Sequence, residues 1–170
     1  MCIRDRVEMM EMRKIDLVID TLPINTTNKV AKKIELSRLV NCFAYNKKSM
    51  PDCKIKDVKD LKNYPLILPS ATSSIRLQLD EYMDSNKVTL NPVIESWTTE
   101  LMVELVRRGV GIGYFIKSVI DIQNDKDNFE VITFDDTLPA VDVCAVYLEE
   151  FETVALSKFV NFLNEHKEGV

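Results

Sequence analysis

The stretch Glu100-Leu101-Met102-Val103-Glu104-Leu105-Val106-Arg107-Arg108-Gly109-Val110-Gly111-Ile112-Gly113 contains a helix, its terminator and the start of a strand. Apolar side chains recur at helical spacing and predict a helix over 100–108 that buries Leu101, Leu105 and Val106. Glu104 and Arg108 stand four residues apart, where opposite charges meet on one helix face. Arg107-Arg108 followed by Gly109 ends the helix: cations suit the negative end of the macrodipole, and glycine suits the left-handed residue just beyond it. From Val110 to Phe115 the pattern becomes an unbroken apolar run, which predicts a buried strand. The order is therefore helix, glycines, strand. A nucleotide-binding G-x-G-x-x-G loop needs strand, glycines, helix, and its third glycine falls one residue later than Gly113. Gly109 reads as a helix cap, and Gly111 and Gly113 as places of close backbone packing.

The same alternation extends in both directions. Toward the N-terminus the pattern predicts the end of a helix over 7–14, with Met9, Met10 and Met12 as core contacts, and a strand over 15–19. Extended segments follow at 34–36 and 39–45, then a helical turn at 58–61 and a strand at 66–68 stopped by Pro69. A helix carrying Ile75, Leu79, Tyr82 and Met83 comes next, and a strand at 93–95. Toward the C-terminus it predicts a short helix over 117–122 and strands over 129–134 and 141–148. A closing helix over 153–167 places Ala155, Phe159, Phe162 and Leu163 on one face. Alternating strands and helices predict an α/β fold with a mostly parallel sheet covered on both faces. Ligands of such sheets sit at the carboxyl ends of the strands, opposite helix N-termini.

Composition removes several classes of function. The chain has 170 residues and a net charge of −5. Its lysines are interleaved with acids, as in Lys54, Lys56, Asp57, Lys59, Asp60 and Lys62, which reads as a solvated surface rather than a nucleic-acid face. The cysteines Cys2, Cys42, Cys53 and Cys144 form no C-x-x-C pair, and His166 is the only histidine. Four clustered zinc ligands are thus not available, and no metal or cofactor is expected. Cys42 and Cys144 lie inside apolar runs and read as buried free thiols of a reducing compartment. A nucleophile–base–orienter set cannot be assembled around His166, which stands beside Glu165 and Lys167. The acid pairs Asp16 with Asp20 and Asp135 with Asp136 read as surface or turn residues. Met1 to Arg6 lacks the apolar run of a signal peptide and reads as a non-native leader.

Two hydroxyl-rich segments each follow a strand and open a helix: Pro69-Ser70-Ala71-Thr72-Ser73-Ser74 and Ser96-Trp97-Thr98-Thr99. One reading is helix capping alone. The other is that hydroxyls and free backbone N–H groups bind a carboxylate or similar anion. Their occurrence in consecutive strand–helix units favours the second.

Lys14-Ile15-Asp16-Leu17-Val18-Ile19 resembles the "g-x-L-D-L-A-I" strand in the effector domain of LysR-type transcriptional regulators. Asp60-Leu61 through Leu66-Ile67-Leu68 resembles that family's "dL…pli" element, and Thr72 to Arg76 the start of its next helix. The segment from Glu100 to Gly113 resembles its "lV-x-x-G-x-G-I" signature. Where the family continues with Leu-Pro, this chain has Tyr114-Phe115, so one wall of the ligand cleft differs. The resemblance implies two Rossmann-like lobes of the type II periplasmic-binding-protein kind. Lobe one, incomplete, would hold 7–45 and 140–170, and lobe two 46–139. It implies a non-enzymatic, cytoplasmic sensor with a small effector in the inter-lobe cleft, and the two hydroxyl-rich helix starts point to an anionic organic molecule. The ligand-binding residues would be Thr21, Pro23, Ser70, Thr72, Ser73, Ser96, Thr98 and Thr99. DNA would be reached only through an N-terminal winged helix-turn-helix missing here, and the intact protein would be a homodimer or tetramer. The solute-binding protein of a transporter shares the fold and is the alternative.

Overall fold

The computed structural model describes residues 3–22, 24, 26, 31–135 and 137–166. In chain order the elements are α1 (Ile3–Glu11), β1 (Leu17–Thr21), β2 (Ala31–Leu39), β3 (Asn41–Asn46), β4 (Leu66–Pro69), α2 (Ser74–Ser85), β5 (Pro92–Ser96), α3 (Thr99–Arg107), β6 (Ile112–Ile116), α4 (Lys117–Asp121), β7 (Phe129–Ile132), β8 (Val141–Leu148) and α5 (Val154–Glu165). A 3-10 turn over Val58–Asn63 precedes β4. Residues 3–6, read from sequence as part of a leader, lie in α1, and Arg6 forms an ion pair with Asp20.

Two compact units result: unit 1 from Met1–Arg38 with Val141–Val170, and unit 2 from Leu39–Ala140. The boundary thus falls near residue 39 rather than 46. The reason is β3, which hydrogen-bonds to β6 and β7 and so belongs to the sheet of unit 2.

That sheet has the order β5-β4-β6-β3-β7. Strand β4 runs parallel to β5 and β6, whereas β3 runs antiparallel to β6 and β7. The expectation of a mostly parallel sheet is corrected to a mixed one. A strand buried on both faces reads the same in either direction, so the apolar run at 41–45 carried no orientation. Side chains alternate between the two faces. Phe43, Leu66, Leu68, Ile112 and Tyr114 pack on Leu79 and Met83 of α2 and on Val58 and Leu61 of the 3-10 turn. Cys42, Ala44, Ile67 and Phe115 pack on Met102, Val103 and Val106 of α3 and on Ile120 of α4.

Unit 1 is built on a three-stranded sheet of order β1-β8-β2, with β1 antiparallel to β8. Met10 of α1 packs with Val18, Cys144 and Val146. Leu156 and Val160 of α5 pack with Ile34, Ala145 and Tyr147.

The end of α3 is as read from sequence. Gly109 has φ +74°, its N–H bonds to the Val106 carbonyl at 2.9 Å, and the Val110 N–H bonds to the Leu105 carbonyl at 3.1 Å. These two bonds satisfy helix carbonyls that would otherwise lack donors. The buried face of α3 includes Val106 and partly Leu105, as expected, but not Leu101. Met102, Val103 and Val106 face the sheet, and Leu101 is half exposed. Helix α5 buries Leu156 and Val160 with Leu163 packed partly against them, while Ala155, Phe159 and Phe162 are exposed. Each helix carries two apolar stripes about 100° apart, and only one can face a sheet. On the outer stripe of α5 the Phe159 and Phe162 rings stack at 6.4 Å, and His166 stacks on Phe162 at 4.2 Å.

Three carboxylates of unit 2 are held below their ordinary pKa. Asp60 accepts from the Lys56 and Asp57 backbone N–H groups; Glu104 is paired with Arg108 and Arg107; Asp125 is paired with Arg107. The Arg107 guanidinium also donates to Gln123 at 3.0 Å, joining the end of α3 to the loop before β7. A carboxyl that is more acidic folded than unfolded stabilises the fold fully above its unfolded pKa. That contribution is lost as pH falls through the folded value. Denaturant midpoints for unit 2 should therefore be flat from neutral pH to about 5 and fall below about 4. Equal midpoints at pH 7 and pH 3 would contradict the pairing.

Candidate functional site

Where β4, β5 and β6 end, unit 2 contains an open cavity of about 170 Å³. Three strand–helix junctions converge there. The β4–α2 junction contributes Pro69, Ser70, Ser73 and Ile75. The β5–α3 junction contributes Ser96, Trp97, Thr99 and Met102. The end of β6 and the start of α4 contribute Tyr114, Phe115, Ile116 and Val119. The floor and walls are apolar, and hydroxyls mark the two helix starts.

Each hydroxyl has a distinct local role. Ser73 is the N-cap of α2, and its Oγ accepts from the Arg76 N–H at 3.3 Å. The Ser96 Oγ accepts from the Thr98 N–H at 3.1 Å and donates to the Thr98 carbonyl at 3.1 Å. The Ser70 N–H donates to the Ser96 carbonyl at 2.9 Å, which ties the two junctions together. Thr98 is the N-cap of α3 but supplies no side-chain cap bond. The first turn of α3 therefore keeps its N–H donors uncapped by a side chain.

Of the residues expected to bind ligand, Ser70, Ser73, Ser96 and Thr99 line this one cavity. Thr72 and Thr98 are exposed and do not line it. In the case of Thr98 the backbone is occupied locally, its N–H on Ser96 and its carbonyl on the Met102 N–H. Thr21 ends β1 in unit 1, with its N–H on Asp20 Oδ1 at 2.8 Å. Pro23 lies outside the described residues.

The apolar walls escaped the sequence reading. Trp97, Met102, Phe115, Ile116 and Val119 come from three separate segments, and periodicity does not reveal which strand ends meet. The usable signal was Trp97 itself, a large aromatic between two cap residues. Tyr114 packs on Phe43 at 4.8 Å between ring centroids. Burial pushes its phenol pKa up, with a nearby Asn41 partly offsetting this, so the ring is neutral.

The lining holds no Lys, Arg, His, Asp or Glu among the described residues. Two cations adjoin the lining in sequence and both are engaged elsewhere: Lys117, whose Nζ pairs with Asp121 at 2.8 Å, and Arg76. The Arg76 side chain is 8% exposed, and its Nε donates to Asp80 at 2.8 Å. Its Nη1 donates to Glu95 at 2.9 Å and to the Pro69 carbonyl at 3.2 Å. Burial alone would favour the neutral guanidine, but the two carboxylates outweigh it and hold the pKa above the ordinary arginine value. Arg76 thereby fixes the start of α2 to the ends of β4 and β5. Cys42, Cys53 and Cys144 are free thiols; burial raises all three, Cys42 to about 12. A thiol so raised is a poor nucleophile at neutral pH. Among the described residues no group of His, Cys, Asp and Glu is placed to hold a metal, and no helix is long and apolar enough to cross a membrane.

Comparison with solved structures defines the fold. The regulatory domain of Synechocystis PCC6803 CcmR in complex with 2-PG superimposes with a TM-score of 0.83 at 12% identity, over 99% of this chain and 81% of that one. The effector-binding domain of QuiR in complex with shikimate gives 0.78 at 17% identity, over 99% and 79%. The LysR family transcriptional regulator CbnR gives 0.76 at 13% identity, over 96% of this chain but only 56% of that one. The fold is thus that of a LysR effector-binding domain, of the type II periplasmic-binding-protein kind. The family model for the LysR substrate binding domain matches residues 4–168, and the chain belongs to that family of transcriptional regulators. This membership separates it from the solute-binding proteins that share the fold. No well-characterised protein sequence matches it significantly.

Proposed function

We propose that this chain is the effector-sensing part of a cytoplasmic LysR-type regulator and that the unit 2 cavity takes a small organic anion. The observation that carries the reading is the convergence of two hydroxyl-bearing helix starts on one cavity free of carboxylates. The start of α3 has no side-chain cap, and each helix start carries roughly half a positive elementary charge. A carboxylate there accepts from N–H groups and hydroxyls without needing a cationic side chain. The ligands in the CcmR and QuiR structures support a small polar effector. With serines but no base beside them, the cavity suits binding rather than catalysis. The chain reads DNA only through a winged helix-turn-helix beyond its own sequence, within a homodimer or tetramer.

The test is a thermal-shift titration of the chain with small carboxylates and their neutral amides. Ligand at a hundred times its Kd adds about 2.7 kcal/mol to stability, so binding acids raise the melting temperature. Thr99→Val keeps the volume, removes the hydroxyl and disturbs no cap bond. It should weaken acid binding roughly tenfold, with the free protein's melting temperature unchanged. Ser73→Ala should weaken binding and also lower stability by about 1 kcal/mol, because Ser73 caps α2. Amides that bind as well as acids, or normal binding by both variants, would overturn the assignment.

A further inference from the structure

The cavity carries more information than its anion-accepting rim. Trp97 borders it at the end of β5 and is 71% exposed. An indole has one of the largest apolar surfaces of any side chain, so covering it contributes strongly to binding. Around it stand Ile75, Met102, Phe115 and Val119, all apolar. The rim offers two helix starts and no cationic side chain, which suits a single negative charge. A phosphate ester or a dicarboxylate brings two charges, and the second would be desolvated against apolar walls without a partner. The size of the pocket matches one ring, with its mouth open to solvent. An apolar cavity of about 150 Å³ holds one benzene ring, and this one measures about 170 Å³.

Resting on the reading of the cavity as the effector site, we infer that its ligand is a monocarboxylate on a flat or compact apolar body of about one ring, and that Trp97 is the specificity-determining face against which that body lies. The carboxylate sits at the starts of α2 and α3, on the Ser73 and Thr99 side. The ring fills the space between Trp97 and Phe115. A stacked ring covers the exposed indole, which a phosphate cannot do.

Trp97 is the only tryptophan in the chain, so its fluorescence reports this cavity directly. The whole chain is titrated with benzoate, cyclohexanecarboxylate, succinate and inorganic phosphate. Emission and melting temperature are both followed, and the second does not depend on the indole. Benzoate and cyclohexanecarboxylate should shift the emission to shorter wavelength and raise the melting temperature. Succinate and phosphate at equal concentration should do neither. Trp97→Leu should weaken benzoate roughly threefold to tenfold by calorimetry, while an unchanged melting temperature of the free variant excludes a folding defect. Tighter binding of succinate or phosphate, lost in Thr99→Val, would overturn the ring-acid inference and leave the site reading standing. Benzoate binding that ignores both Trp97→Leu and Thr99→Val would place the ligand elsewhere and overturn both. No response to either ring acid would overturn the inference.

Discussion

Gly111→Val should lower the stability of unit 2 by about 3 kcal/mol or more, at the upper end of overpacking costs. A Cβ at Gly111 would lie 2.4 Å from the Pro65 carbonyl oxygen and 3.0 Å from its carbon. The obstacle is backbone, and that same carbonyl accepts the Ile112 N–H at 2.9 Å, at the edge of the β4–β6 pairing. Making room means breaking the bond that registers the two central strands. Gly113→Ala provides the comparison. Its Cβ would meet the Phe115 ring and Val106 Cγ2, side chains rather than backbone, so the strand pairing is kept and the cost should be smaller, about 1–2 kcal/mol. Urea denaturation followed by Trp97 fluorescence reads unit 2 in both variants. If Gly111→Val leaves the midpoint unchanged, the close approach of Pro65 to β6 is wrong.

The second large effect concerns Arg76, and its sign lies in an asymmetry of burial. The guanidinium is 8% exposed, whereas Asp80 and Glu95 are 39% and 42% exposed. Removing both acids, as Asp80→Asn with Glu95→Gln, leaves a buried cation with no counter-charge. It should cost about 3 kcal/mol, the scale of breaking a buried ion pair from one side. Arg76→Met leaves two half-exposed carboxylates that water can solvate, and its volume is retained. It should cost less, about 1–2 kcal/mol. The order of the two denaturation midpoints is the measurement. A more stable double variant than Arg76→Met would show that the pairing is not what holds α2 to β4 and β5.

Much of this was legible in the sequence because it is local. Gly109 after Arg107-Arg108 marks the helix end, since left-handed geometry and the macrodipole are read within a few residues. Cys42 and Cys144 sit in runs too apolar to face water. That Ser70, Ser73, Ser96 and Thr99 share one cavity follows from strand–hydroxyl–helix order, which places them at strand ends. Three things were not local. The direction of β3 depends on its partners β6 and β7, not on Asn41–Asn46 itself. The choice between the two apolar stripes of α3, and of α5, is made by the sheet each helix meets. The aromatic wall of the cavity needs Trp97 and Phe115 to converge from different strands. Arg76 looked like an ordinary helix-start residue, because nothing near it in sequence announces Glu95 as its partner.

The strand order β1-β8-β2 also sets a timetable for synthesis. Both β1 and β2 take their partner from β8, which leaves the ribosome only after all of unit 2. Unit 2 pairs entirely within itself, from β3 to β7, so its sheet can close before β8 reaches β1 and β2. A nascent chain with two open strands is exposed to wrong pairing and to holdase capture. Folding unit 2 first shortens the loop that β8 must then close, because a folded insert spans less space than a free chain of the same length. Stalled intermediates should therefore carry a native unit 2 and protease-sensitive β1 and β2, and release should follow the emergence of Val141–Leu148.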